Sequence, residues 1–232
     1  MGKQIKGLLY FFLTDARYSI AIFWSINIGI IVLSLSISYF LVSVEGEFYL
    51  SASIPMYIYC AIFGYITVKE SIPFALKIGA TRKSIFISIG LFFLILSGLK
   101  AVFMSIIHST TLAFADAVGI SNFLFIHPAT LLGDTWLNRL VVDASIMFLV
   151  FSMMFIIGLV FYRTGLAGGG IVAGIIVLLL LFGIAEGWLF EFISDLIADV
   201  DLTLFVQMFG VGIVFYLLSF LFVRRITIIK TK

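Results

Sequence analysis

The sequence PFALKIGATRKSIF, residues 73–86, places three cations between two long apolar runs. These cations are Lys77, Arg82 and Lys83. Hydrophobic residues make up 63% of the 232-residue chain and charged residues 11%, with a mean hydropathy of +1.27. A soluble domain is about half apolar and about a quarter charged, so a soluble fold would expose too much of this apolar surface to water. The composition therefore predicts an integral membrane protein.

Six apolar segments follow one another along the chain, and a helix of roughly 20 such residues crosses a bilayer. Their limits are 20–43, 53–69, 85–107, 140–162, 168–188 and 203–223. The first segment is too long for the apolar part of a signal peptide, and no small-residue cleavage site accompanies it. The expected fold class is therefore all-α: a polytopic membrane protein with six transmembrane helices. We expect a single transmembrane domain over 1–232 that has no cleaved signal peptide and ends in a basic tail over 224–232.

Basic and acidic residues lie in alternate connections between these segments. Twelve of the 14 Lys and Arg residues lie at the N-terminus, around the second connection, at position 163 or in the tail. Acidic residues dominate the other connections, where Arg139 is the one cation. Lys and Arg are enriched in cytoplasmic loops. Both termini and the 70–84 connection are therefore expected on the cytoplasmic side.

The 70–84 connection carries the local signals of a short helix followed by a turn. Pro73 suits the first turn of a helix, where a missing N–H costs nothing, and Gly79 suits the end of that helix. Thr81 or Ser84 is a suitable N-cap for the next helix. The cations here have two interpretations: they anchor the topology, as cytoplasmic loops commonly do, or they bind a cytosolic partner.

Residues 1–19 have an amphipathic pattern of their own. Apolar residues recur at helical spacing beside three cations, a pattern typical of a helix that lies in the membrane interface. We therefore expect an interfacial helix ahead of the first span. The apolar residues are Ile5, Leu8, Leu9 and Phe12, and the cations are Lys3, Lys6 and Arg17.

The chain resembles the permease (membrane) subunit of an ABC-2 type exporter, in particular the small Gram-positive bacterial permeases that work with a separate ATPase subunit. The resemblance rests on the topology of the whole chain and on the segment Pro73–Lys83, PFAL-x-x-Gly-x-Thr-Arg-Lys. It implies a coupling helix that contacts a cytosolic ABC ATPase subunit, a bacterial cell membrane location, and a second permease chain, identical or different. The coupling-interface candidates that it implies are Glu70, Phe74, Lys77, Gly79, Thr81, Arg82 and Lys83.

The sequence contains no motif for ATP hydrolysis or for other catalysis. A phosphate-binding loop needs G-x-x-x-x-G-K-[ST], and the nearest approach, Lys83–Ser84, has Arg82 in place of the second glycine. ATP and Mg²⁺ are therefore expected on the partner ATPase, with no cofactor, metal or enzymatic activity in this chain. His108 and His127 stand alone and are interpreted as polar residues near the outer boundary. Nothing indicates nucleic-acid binding.

Polar residues inside two of the apolar segments are candidates for a substrate path. Lys100 is a cation within the third span, which is costly unless it has a function or extends to the outer acids. Asn27, Ser34 and Ser38 share one face of the first span at 3.6 residues per turn. That face either lines a path or makes hydrogen bonds between helices.

The last outer connection carries a row of acids that is a candidate gate. Glu191, Asp195 and Asp199 recur every four residues in EGWLFEFISDLIADVD, residues 186–201. The row indicates either a gate that attracts a cationic substrate or the water-facing side of a short helix on the outer leaflet.

The stretch GLAGGGIVAG, residues 165–174, leads into the fifth apolar segment. The pairs Gly165/Gly169 and Gly170/Gly174 have the spacing that lets two membrane helices approach closely. We expect this face to pack inside the subunit or against a second chain.

Three functions are compatible with these patterns. The first is the permease of an exporter whose substrates are peptides, antibiotics or lipids. The alternative is a non-transporting membrane anchor, sensor or immunity protein. A small secondary transporter is the third, although such proteins have inverted repeats and midplane charges, and only Lys100 hints at one here.

Overall fold

The computed structural model describes residues 2–42, 46–198, 200–224 and 226, and it is 86% helical. Two short strands pair in parallel, with Phe48 opposite Phe123, and a 3-10 helix covers Pro128–Leu132. The all-α prediction is confirmed. In chain order the elements are α1 Gly2–Leu41, β1 Phe48–Leu50, α2 Ser53–Lys69, α3 Ser71–Lys77, α4 Arg82–Val118, β2 Phe123–Phe125, α5 Trp136–Ala185, α6 Trp188–Ala198 and α7 Leu202–Val223.

Four of the described helices, namely α1, α4, α5 and α7, are long and apolar enough to cross a membrane. The sequence predicts six such segments, and the described residues of each are mainly helical. Two of them are joined in α5, which runs for 50 residues and is interrupted at Gly165, where φ is 70° and ψ is −173°. A further one is α2, which has only 17 residues.

The turn between α3 and α4 forms where its sequence signals predict it. Gly79 adopts a left-handed φ of 81°, which a residue with a β-carbon rarely adopts. The side chain of Thr81 caps α4, because its Oγ1 accepts a hydrogen bond from the Ser84 N–H at 3.2 Å. Both local predictions are confirmed, and they place α3 as a short helix directly between α2 and α4.

The N-terminal part of α1 is not a separate interfacial helix. Helix α1 continues without a break from Gly2 to Leu41, about 60 Å at about 1.5 Å per residue. It runs alongside α4 in the same direction: the rings of Phe12 and Phe92 lie 5.9 Å apart and those of Trp24 and Phe103 lie 4.5 Å apart. The segment 1–19 was predicted as an interfacial helix, but its described residues, 2–19, belong to a helix that packs along the bundle.

A stripe of buried apolar residues explains why the start of α1 packs on α4 and not in the membrane interface as predicted. Leu8, Phe12 and Ala16 are buried, and they recur every four residues on one face of α1. An apolar stripe at this spacing fits the surface of a neighbouring helix as well as it fits a lipid surface. As a consequence, the predicted first and third spans are offset along the helix axes. The first, 20–43, begins beside the end of the third, 85–107.

Glycines bring α2, α5 and α7 into close contact. A β-carbon added at Gly64 of α2 would lie 2.9 Å from the carbonyl oxygen of Phe151 in α5. One added at Gly158 would lie 3.0 Å from Val68, and one at Gly212 of α7 would lie 3.0 Å from Leu149 Cα. These three positions need the absence of a side chain, and they set the distances between the helices.

Helices α5 and α7 pack side by side and run in the same direction. The ring of Phe148 lies 4.9 Å from that of Phe209, and seven residues later the ring of Phe155 lies 5.8 Å from that of Tyr216. The chain must therefore return between the end of the first part of α5 and the start of α7. The distance is about 33 Å, since roughly 22 residues of α5 separate the two levels.

Candidate functional site

The predicted coupling residues form one exposed surface at the basic end of the bundle. They lie at the end of α2, on α3, in the turn and at the start of α4, and all of them are exposed. We call this set the basic surface. Its members are Glu70, Phe74, Lys77, Gly79, Thr81, Arg82 and Lys83.

Contacts from both ends of the chain hold the basic surface in place. Gln4 of α1 donates a hydrogen bond from Nε2 to the carbonyl oxygen of Gly79 at 3.4 Å. The ring of Phe11 stacks on that of Phe74 at 4.3 Å. At the other end of the chain, the guanidinium of Arg82 donates to the Ile226 carbonyl oxygen from Nε at 3.1 Å and from Nη2 at 2.9 Å.

The cations of the basic surface have no acidic partner within the described part of the chain. Lys77, Arg82 and Lys83 make no ion pair there with any Asp or Glu, and Glu70 makes none with a cation. Three uncompensated charges beside the exposed ring of Phe74 suit an acidic protein partner that also offers an apolar contact.

Lys100 is buried and lies in a cage of aromatic rings. Its side chain is 2% exposed, so it does not extend to the outer acids. The ammonium Nζ lies 3.8 Å from the ring centroid of Tyr59, 4.3 Å from that of Phe23 and 5.4 Å from that of Trp24. It has no hydrogen-bond partner among the described residues. The electron-rich ring faces take the place of a counter-ion.

Asp143 is a second buried charge, which the sequence analysis did not single out. It is fully buried in α5, and its Oδ1 accepts a hydrogen bond from the Tyr57 hydroxyl at 2.5 Å. His127 binds the same oxygen. Its Nδ1 accepts from the Ala129 N–H at 3.0 Å, so the proton lies on Nε2, which donates to Asp143 at 3.1 Å. Asp143 therefore ties the segment after β2 to the bundle.

The two histidines do not stand alone, as the sequence analysis expected. The ring centroids of His108 and His127 lie 5.7 Å apart, and both side chains are buried. His108 Nε2 lies 3.5 Å from Asp134 Oδ2, and Arg139 Nε lies 3.0 Å from the other oxygen of that carboxylate. Segments that are remote in sequence thus form one polar cluster at the end of the bundle opposite the basic surface. The spacing of these residues in the sequence does not reveal the cluster.

The polar face of α1 is buried against the connecting segments. Asn27 Nδ2 donates to the Ala52 carbonyl oxygen at 3.4 Å, and Ser38 Oγ donates to Asn122 Oδ1 at 2.7 Å. Ser34 is buried on the same face. These residues pack on the segments before α2 and before β2, and the hydrogen bonds of Asn27 and Ser38 go to those segments.

The acidic row lies on α6, which is exposed. Glu191 and Asp195 both point to the exterior, and Asp199 lies outside the described residues. Just beyond α6, the Thr203 hydroxyl and the Leu204 N–H donate hydrogen bonds to Asp201, and these bonds lower the pKa of its carboxyl. The exposed acids fit the water-facing side of a short helix.

The four glycines predicted to pack, Gly165, Gly169, Gly170 and Gly174, have different surroundings. Gly165 is the break in α5, and a β-carbon on Gly169 would meet the ring of Phe161 at 2.4 Å. No atom lies within 4 Å of the corresponding position at Gly170 or Gly174. The second pair therefore has no packing partner among the residues of the chain that the structure describes.

Within residues 2–42, 46–198, 200–224 and 226, no three His, Cys, Asp or Glu side chains converge on a point where a metal ion would bind. No family model, no curated protein and no solved structure matches the chain.

Proposed function

We propose that the chain is the permease subunit of an ABC-type exporter, which couples to a separate cytosolic ATPase through the basic surface. One observation carries the proposal: the seven coupling candidates are all exposed together at one end of the bundle. With a second permease chain, identical or different, the subunit encloses a path for peptides, antibiotics or lipids.

The proposed placement in the bacterial cell membrane has six crossings and both termini in the cytoplasm. The parallel packing of α5 and α7 supports a crossing by residues 166–185, because the chain has to return between these two helices. The cations Lys69, Arg163 and Arg224, at the ends of α2, the first part of α5 and α7, support the cytoplasmic assignment of this end.

Coupling requires that a force on the basic surface reach the helices of the path. Helix α3 follows α2 directly and leads to α4 through one short turn. Gln4 ties that turn to α1. A partner that pushes on 70–83 therefore acts on three helices at once. In this proposal ATP and Mg²⁺ bind on the partner subunit, and this chain supplies the path and the contact surface.

Charge reversal on the basic surface is expected to release the ATPase. The variant Lys77→Glu/Lys83→Glu places acids where an acidic partner binds, and like charges across an interface cost several kcal/mol. Arg82 is left unchanged because it holds the Ile226 carbonyl oxygen. The tagged chain is purified from native membranes in mild detergent, and co-purifying proteins are identified by mass spectrometry. We expect a stoichiometric P-loop ATPase with the wild type and at least about tenfold less with the variant.

The matched control is Arg163→Glu/Arg224→Glu, which makes the same charge change at the same end of the bundle but on α5 and just after α7. It is expected to retain the ATPase. Equal loss in both variants would mean that total charge, and not the basic surface, holds the partner. If the wild type brings no ATPase, the exporter proposal fails and a non-transporting anchor, sensor or immunity protein becomes the leading function.

A further inference from the structure

We propose that a cavity between the end of the first part of α5, near the Gly165 break, and the end of α7 binds the phosphate of an anionic phospholipid in the inner leaflet. The cavity has a volume of about 280 Å³. Its lining among the described residues consists of two guanidinium groups and two apolar side chains: Arg163, Arg224, Leu221 and Phe222. The inference rests on the membrane orientation proposed above and is independent of the exporter activity.

The packing of the two helices brings the arginines together. Phe148 is level with Phe209 and Phe155 with Tyr216, a constant difference of 61 positions. The same difference pairs Arg163 with Arg224. The first part of α5, which stops at the Gly165 break, thus ends at the same level as α7, and each end contributes one arginine.

No acidic residue in the described ranges compensates the two positive charges. Arg163 and Arg224 make no ion pair with an acidic residue in the part of the chain that the structure describes. Two cations at one cavity repel each other, and an anion between them relieves that repulsion. The guanidinium group donates two parallel hydrogen bonds to phosphate oxygens, which makes arginine well suited to phosphate recognition.

The apolar part of the lining favours a lipid over a free phosphate. Leu221 is 54% exposed, and Phe222 is half-buried. Both belong to the last turn of α7, just before Arg224. A headgroup held by the arginines leaves its acyl chains beside these two residues, whereas a soluble phosphate makes no use of them. Basic pockets between helices on the cytoplasmic side are known settings for anionic headgroups.

The test compares the selectivity of the full chain for two spin-labelled lipids. The protein is reconstituted in phosphatidylcholine vesicles, and the immobilised fraction of spin-labelled phosphatidylglycerol is compared with that of spin-labelled phosphatidylcholine by electron paramagnetic resonance. The wild type is expected to prefer phosphatidylglycerol, and Arg163→Gln/Arg224→Gln is expected to lower that preference about tenfold. Arg163→Lys/Arg224→Lys keeps the charge and loses the paired donors, so its preference is expected to be intermediate.

Lys77→Gln/Lys83→Gln is the control, since it removes two cations from the basic surface at the same end. It is expected to keep the preference of the wild type. The inference would be overturned if Arg163→Gln/Arg224→Gln kept the preference for phosphatidylglycerol, or if Lys77→Gln/Lys83→Gln lost it to the same extent. Displacement of the labelled lipid by soluble glycerol phosphate would assign the cavity to a free phosphate and overturn the lipid assignment. The ATPase is absent from this experiment, so its outcome does not depend on the proposed function.

Discussion

Asp143→Ala is expected to lower the free energy of unfolding by about 3 kcal/mol, because it leaves one buried and one partly buried donor without an acceptor. The donors are the Tyr57 hydroxyl and His127 Nε2, which both bind Asp143 Oδ1. Loss of this oxygen also releases the segment that contains His127 from the bundle. The measurement is unfolding in mixed micelles with increasing denaturing detergent, followed by circular dichroism.

Two variants separate the hydrogen bonds from the charge. Asp143→Asn keeps an oxygen acceptor at the same place and is expected to destabilise the protein less than Asp143→Ala does. Asp116→Ala removes an exposed acid from α4 and is expected to change stability little. Equal stability of Asp143→Ala and the wild type would show that the carboxylate does not hold the segment after β2.

Gly64→Val is expected to separate α2 from α5 and to destabilise the protein by about 3 kcal/mol or more. The added β-carbon alone would lie 2.9 Å from the Phe151 carbonyl oxygen and 3.3 Å from its Cα. These are backbone atoms, which cannot rotate away as the end of a side chain can. The expected result is a lower yield of monodisperse protein and a lower midpoint of thermal unfolding.

Gly98→Val is the matched control for this prediction. Gly98 lies within α4, and no atom is within 4 Å of a β-carbon added there. Both substitutions replace glycine by the same residue inside a helix, so their effects on helix propensity are similar. A Gly98→Val protein as unstable as Gly64→Val would mean that a valine side chain anywhere in these helices, and not the close approach of α2 and α5, explains the loss.

The turn around the basic surface was predictable because its signals are local. A left-handed position at Gly79 and a cap at Thr81 depend only on neighbouring residues of the chain. The all-α class follows equally directly from the length and composition of the apolar segments.

The path of α1 was not predictable from the same kind of pattern. Leu8, Phe12 and Ala16 form an apolar stripe, and such a stripe gives no information on whether lipid or protein covers it. Contacts between rings that are remote in sequence, such as that of Phe12 with Phe92, show that protein covers this stripe.

The interior charges were predictable only in part. Lys100 was singled out because a cation in an apolar segment is unusual, and the same criterion applied to Asp143 would have found the second charge. Its partners Tyr57 and His127 come from α2 and from the segment after β2, so only the folded chain brings them together. The requirement for glycine at position 64 was likewise not predictable, because it depends on contact with Phe151 of another helix.

The parallel course of α5 and α7 restricts insertions and deletions in the chain between them. Residues 166–185 form a helix about 30 Å long, which is nearly the distance that the chain has to return. Most of its side chains are exposed, so apolar substitutions there are expected to be tolerated at nearly every position. Its length, however, is determined by two other helices: removal of one turn shortens the connection by about 5 Å. Natural variants of this protein should therefore differ freely in residue identity along this helix while keeping the same number of residues.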